Sequence, residues 1–124
     1  MKTVATRFAP SPTGPLHIGG VRTALFNWLY SKNKGGKFYL RIEDTDKERS
    51  KEEFKDQIIN SLKWIGINYE DSEYIQSDKI DDHINVANEL LKKGLAYKCY
   101  CSSEEIEEQK KRAKQKKIPY IYNR

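Results

Sequence analysis

Apolar and polar positions change period several times along the chain, and each change marks an element. Val4-Ala5-Thr6-Arg7-Phe8-Ala9 reads as a short strand. Pro10 and Pro12 halt it, because each holds its predecessor in extended geometry and donates no backbone hydrogen bond. Ser11-Pro12-Thr13-Gly14-Pro15 is then a rigid loop. From about Leu16 to Lys32 the apolar residues Val21, Leu25, Trp28 and Leu29 recur at helical spacings, and Asn33-Lys34-Gly35-Gly36 closes that helix. Phe38-Tyr39-Leu40-Arg41-Ile42 is a second strand, so the opening is a βαβ unit whose strands should be parallel with a right-handed crossover. A longer helix is expected from about Glu48 to Ile65, with Phe54, Ile58, Leu62 and Ile65 as its apolar stripe and Gly66 as its stop. Another, around Ile80 to Lys93, is expected to bury Ile84, Ala87 and Leu91, and Gly94 ends it before the strand-like Leu95-Ala96-Tyr97-Lys98-Cys99-Tyr100. Ser102 or Ser103 caps a last helix whose acidic residues, Glu104 to Glu108, precede its basic ones, Lys110 to Lys117, an order that complements the helix dipole.

Composition narrows the class. At 124 residues the chain is one modest domain or a piece of a larger one. With 37% apolar residues, 8 Tyr and 2 Trp it can fill a core, which excludes wholesale disorder. No apolar run approaches the roughly 18 residues of a membrane span, and Met1 to Arg7 lacks the apolar centre of a secretory leader. A soluble cytoplasmic protein without a membrane partner is expected. Cys99 and Cys101 are too few for a disulfide framework. The net charge of +5 comes wholly from residues 1–50, so an anionic partner such as a nucleotide or RNA is favoured. The acid-then-base last helix reads more simply as a solvated surface helix than as an RNA contact.

The segment from Arg7 to Gly20 joins a strand's carboxyl end to a helix start, where open parallel sheets bind ligands. Unpaired amides at that start attract phosphate, Gly19 and Gly20 let a flat base or ribose approach the backbone, and His17 can donate to a phosphate oxygen. The pieces suit ATP, yet there is neither a Walker loop nor a dinucleotide glycine pattern. Cys99 and Cys101 alternate on the expected strand, so both thiols face one side, as half of a tetrahedral zinc site or as two reduced cysteines. His83, in Asp81-Asp82-His83, belongs to no motif and is read as a surface residue without a role.

Pro10-Ser11-Pro12-Thr13-Gly14-Pro15-Leu16-His17-Ile18-Gly19-Gly20 and Arg41-Ile42-Glu43-Asp44-Thr45-Asp46 together resemble bacterial-type glutamyl-tRNA synthetases, which are class I aminoacyl-tRNA synthetases. The likeness covers essentially the whole chain. It implies an α/β fold: the first half of a Rossmann-like nucleotide-binding domain with parallel strands over residues 1–94, then the start of an inserted acceptor-binding domain over 95–124. By the same resemblance, Arg7 takes the side-chain carboxylate of substrate glutamate, Ser11 lies beside its α-substituents, Glu43 accepts its α-ammonium, and Ala9 is a further substrate-binding residue. Thr13, His17, Gly19 and Gly20 meet ATP, with His17, Gly19 and Gly20 as the catalytic group. The second histidine of the class motif is Gly20 here, which puts more of the phosphate contact on His17 and backbone amides. The implied reaction activates L-glutamate with ATP and Mg²⁺ and transfers it to glutamate tRNA, in a cytoplasmic monomer. Related enzymes follow Cys-x-Cys with Cys-x-His, so Zn²⁺ at Cys99 and Cys101 belongs to a longer chain. Such a chain also carries a second, lysine-rich ATP motif absent here, so these 124 residues read as a fragment expected to be inactive alone. Three alternatives stay open: a glutaminyl enzyme, the shortened relative that glutamylates queuosine in aspartate tRNA, and a non-catalytic nucleotide- or RNA-binding module. Ala9 and Ile42-Glu43-Asp44-Thr45-Asp46 speak against the first, and Thr13, Thr45 and Lys47-Glu48-Arg49 against the second.

Overall fold

The computed structural model describes residues 3–122; of the segment read for a leader, Met1 and Lys2 lie outside the described residues. Its elements are β1 (Ala5–Phe8), α1 (Ile18–Asn33), β2 (Lys37–Ile42), α2 (Glu52–Ile65), β3 (Tyr74–Ile75), a 3-10 turn at Ser77–Lys79, α3 (Ile80–Lys92) and α4 (Ser103–Gln115). The chain divides into two compact units, Met1–Asn85 and Val86–Arg124, with the boundary inside α3.

The first unit is built on a three-stranded sheet in the order β1-β2-β3. β1 and β2 pair in parallel with Arg7 opposite Tyr39 and Phe8 opposite Leu40, as the βαβ pattern requires. β2 pairs in parallel with β3, a strand of two residues that is too short to leave a pattern in the sequence. Alternation sends Phe38, Leu40 and Ile42 to one face, where they join Phe8, Ala24 of α1, Ile58, Ile59 and Leu62 of α2, and Ile67 in the core. Arg7, Tyr39 and Arg41 fall on the opposite face.

Helix α1 corrects the expected stripe. Leu25 and Leu29 are exposed, and the helix seats its small residues, Ala24 and Ser31, with Trp28 packed against the core. Close approach to the sheet decides this, since the Thr6 hydroxyl donates to the Asn27 carbonyl at 2.8 Å and leucines between them would hold the backbones apart. Helix α2 begins at Glu52 rather than Glu48 because residues 46 to 50 form a turn of their own. Asp46 accepts the Arg49 amide at 3.2 Å, and its carbonyl accepts the Ser50 amide at 2.8 Å. Gly66 stops α2 in the left-handed region, φ 83°, as expected.

Gly36 is required for space. A Cβ there would lie 2.3 Å from the Val4 carbonyl oxygen, which accepts the Lys37 amide at 2.9 Å to open the β1–β2 ladder. Gly36→Ala is expected to cost about 1 to 3 kcal/mol, read as a lower urea midpoint with an unchanged slope. A midpoint equal to the parent's would show that the ladder yields freely.

Two further expectations are corrected. No α3 residue is buried: Ile84 and Ala87 are exposed and Leu91 is half-buried, because an amphipathic face is buried only as far as neighbouring elements cover it. Residues 95–100 form no strand, since β-propensity makes a strand only where a neighbour completes the ladder. Within the second unit, Gly94 ends α3 at φ 69°, and the Leu95 amide reaches back to the Leu90 carbonyl at 2.9 Å. Ser102 is the cap of α4. Its hydroxyl accepts the Glu105 amide at 3.2 Å while its own amide donates to Glu105 Oε2 at 2.8 Å, a reciprocal box that meets two otherwise unpaired amides. Among the described residues no helix is long and apolar enough to cross a membrane.

Candidate active site

The loop between β1 and α1 is held from three sides. The Pro10 carbonyl accepts the Glu43 amide at 2.9 Å, the Pro12 carbonyl accepts the Lys51 amide at 3.0 Å, and the Leu16 amide donates to Gln57 Oε1 of α2 at 2.7 Å. Prolines supply no amides here, so their carbonyls carry the ties, and Pro12 is fully buried as the pivot. The loop arrives at α1 with little freedom, and His17 becomes the helix cap.

The His17 geometry fixes its chemistry. Nδ1 accepts the Gly19 amide at 3.1 Å, so in the neutral ring the proton must sit on Nε2, which is left as an outward donor. Gly19 permits this fold, since a Cβ there would stand 2.8 Å from His17 Cε1. With the Gly19 amide taken and the Val21 amide bonded to the His17 carbonyl at 3.1 Å, the amides of Ile18 and Gly20 remain for an incoming anion.

Two cavities divide the residues read from the sequence. Ser11, His17 and Gly20 line one of about 220 Å³, floored by Phe8 and Ile58. Arg7 lines another of about 680 Å³, together with Tyr39, Arg41, Tyr74, Gln76 and His83. Among the described residues Arg7 makes no ion pair, so its guanidinium fork is available. Glu43 lines neither cavity: Arg41 Nε donates to its Oε1 at 3.1 Å, and Arg41 Nη2 donates to the same oxygen. Ala9 is half-buried where β1 leaves the sheet, Thr13 is exposed with its amide on the Ser11 carbonyl at 2.9 Å, and Gly19 is exposed. Of the neighbouring acids, Asp44 is structural, accepting the Ser77 amide at 2.8 Å and hydroxyl at 2.5 Å. Hydrogen bonds from Arg49 hold the Asp46 carboxyl below its usual range.

His83, assigned no role from the sequence, shares the Arg7 cavity with Tyr39, Arg41 and Gln76. Strand alternation could have found Tyr39 and Arg41, which fall on the face of Arg7. Nothing local signals Gln76 or His83, whose placement depends on where the chain crosses the sheet after β3.

In the second unit the two thiols do share a side, though not on a strand. Cys99 Sγ lies 2.9 Å and Cys101 Sγ 3.6 Å from the Tyr122 hydroxyl. That hydrogen bond pulls the Cys99 thiol below its ordinary value and pushes the phenol up. No group of three or more His, Cys, Asp or Glu able to hold a metal occurs among the described residues. On α4, Lys110 pairs with Glu107 at 2.7 Å and Arg112 with Glu108 at 2.6 Å, which suits a solvated face.

A parallel three-stranded sheet with helices, whose first strand runs through a proline-stiffened turn into an imidazole-capped helix start, is a Rossmann-like α/β arrangement. The chain belongs to the family of class I tRNA synthetases (E and Q), whose catalytic-domain model matches residues 3–123. It is 81% identical over 124 residues to glutamate–tRNA ligase of Pelagibacter ubique (strain HTCC1062), covering all of this chain and 27% of that protein. It is 54% identical over 120 residues to glutamate–tRNA ligase 1 of Ehrlichia canis (strain Jake), covering 97% of this chain and 26% of that one. The crystal structure of glutamate–tRNA synthetase from Elizabethkingia anophelis superposes with a TM-score of 0.85 at 38% identity, over 98% of this chain and 26% of the other. A glutamate tRNA ligase from Elizabethkingia meningosepticum CCUG26117, in complex with its amino acid, gives 0.83 at the same identity, again over 98% of this chain and 26% of the other. The chain thus spans about a quarter of the length of these relatives.

Proposed function

We propose that this chain is the amino-terminal quarter of a glutamate–tRNA ligase that acts as a cytoplasmic monomer, with residues 1–94 in its catalytic domain and 95–124 opening its acceptor-stem insertion. The observation that carries the reading is the His17 cap: a helix start with open amides at Ile18 and Gly20 and a donor on Nε2, joined by the proline loop to a strand whose Arg7 makes no ion pair among the described residues. Glutamate's α-carboxylate attacks the α-phosphorus of ATP, a phosphorus–oxygen bond breaks, pyrophosphate leaves, and the glutamyl group then passes to the terminal ribose of glutamate tRNA. This chain's part is placement and charge stabilisation. His17 Nε2 and the open amides, with Thr13, Gly19 and Gly20 beside them, hold phosphate oxygens as negative charge moves onto them. Arg7 takes the side-chain carboxylate as a fork, Ala9 and Ser11 border the α-carbon, and Glu43 accepts the ammonium. Mg²⁺ accompanying ATP would supply charge neutralisation at the phosphates.

For zinc, Cys99 and Cys101 are two soft donors turned to one point, a fit for half of a tetrahedral set. They would hold a structural ion only with two further ligands.

The test is glutamate charging of glutamate tRNA by the full-length protein, with glutamine and queuosine-bearing aspartate tRNA as the competing substrates. Charging of glutamine, or of aspartate tRNA in preference, would replace the reading. Within it, Arg7→Lys is expected to weaken glutamate binding by about 2 kcal/mol, since one ammonium cannot replace both arms of a fork. A glutamate KM unmoved by that substitution would take Arg7 out of the site.

A further inference from the structure

Arg41 lies near the end of β2 and lines the same cavity as Arg7, and Glu43 is the first residue beyond that strand. Their contact is one-sided. Arg41 Nε, at 3.1 Å, and Nη2 both donate to Oε1 of Glu43, and no described residue donates to Oε2. The other end of Glu43 is fixed as well, its amide donating to the Pro10 carbonyl at 2.9 Å. Both side chains are about two-thirds buried, 28% and 33% exposed, so this is not a loose surface pair.

We propose that Arg41 is a positioning residue for Glu43: by gripping one carboxylate oxygen it sets the rotamer and leaves the other oxygen as the acceptor for the substrate's ammonium. The proposal rests on the reading of Glu43 as ammonium acceptor. A fork engaging both oxygens would neutralise the carboxylate as a structural ion pair, whereas a grip on one oxygen leaves the second with its lone pairs and a fixed direction. Arg41 also lines the Arg7 cavity, so the residue that orients the ammonium contact borders the space where the side-chain carboxylate is read. Amine recognition and carboxylate recognition are then coupled through two adjacent strands.

The experiment compares equilibrium Kd values of L-glutamate and 2-hydroxyglutarate, which carries a hydroxyl in place of the ammonium, on the full-length ligase. In the parent, glutamate binds more tightly. Arg41→Gln is expected to reduce that preference by about ten-fold, by losing one charge-assisted contact, with the Kd of ATP unchanged. Arg41→Lys, which keeps one donor, is expected to fall between and carries the test if Arg41→Gln fails to fold. Glu43→Gln should reduce the preference at least as far. A preference lost in Glu43→Gln but intact in the Arg41 variants overturns the positioning role alone. One intact in Glu43→Gln overturns the reading of Glu43 and the proposal with it. Equal weakening of both ligands in Arg41→Gln marks a purely structural arginine and also overturns the proposal.

Discussion

His17→Ala is expected to slow glutamate charging by the full-length enzyme by about 10²- to 10³-fold, the loss typical when one preorganised donor to a developing oxyanion is removed. The substitution deletes two things at once, because the same ring caps α1 through Nδ1 and offers Nε2–H outward. His17→Asn separates them. Asparagine is among the best helix caps, so it should restore most of the roughly 1 kcal/mol that alanine costs in stability, while its short amide leaves the Nε2 position empty. The expected result is an asparagine variant nearly as stable as the parent and nearly as slow as the alanine variant. If His17→Asn charged tRNA at close to the parental rate, the imidazole would be a cap and nothing more, and phosphate contact would rest on the Ile18 and Gly20 amides.

That double role was half legible in the sequence. A histidine before two glycines at the start of an apolar-periodic stretch is a local arrangement, and local arrangements survive translation into structure: the β1 strand and the Gly66 stop lie where pattern put them, and the cap of α4 is the first of the two serines it offered. What failed needed knowledge of neighbours. The apolar stripe of α1 contains Leu25 and Leu29, yet a helix brought close to a sheet turns its small side in, and Ala24 and Ser31 outrank leucine there for want of room. Residues 95–100 read as strand-like and, among the described residues, pair with no strand. The candidate site divides the same way. The phosphate loop was readable because its residues are contiguous, and alternation points to Tyr39 and Arg41 beside Arg7, whereas Gln76 and His83 were not readable because they reach that cavity through a turn fastened by Asp44 to Ser77, thirty-three positions apart. Motifs named Glu43, but only coordinates show that its carboxylate is already gripped at one oxygen.

Phe38→Ala is expected to cost about 3 to 5 kcal/mol, the range for removing a buried aromatic side chain when the surroundings only partly collapse. Phe38 is 1% exposed in β2, which pairs with strands on both sides, and faces a core of Phe8, Leu40 and Ile42 from the sheet and Ile58 and Leu62 from α2. Those neighbours come from elements with little freedom to close in, since β1 is tied to β2 by the ladder and the Phe38 carbonyl itself accepts the Glu70 amide at 2.8 Å. Against a total stability of about 5 to 15 kcal/mol for an ordinary domain, such a loss would leave β1 and β2 marginal. The loop that carries His17 would lose its support, because Glu43 and Pro10 are joined directly beyond those strands. Trp64→Ala is the control: a larger aromatic on α2, 89% exposed, whose removal should stay within about 0.5 kcal/mol. Urea denaturation followed by far-ultraviolet circular dichroism should move the midpoint steeply for the first and barely for the second. Equal shifts would mean that the sheet face is not the core on which the site is built.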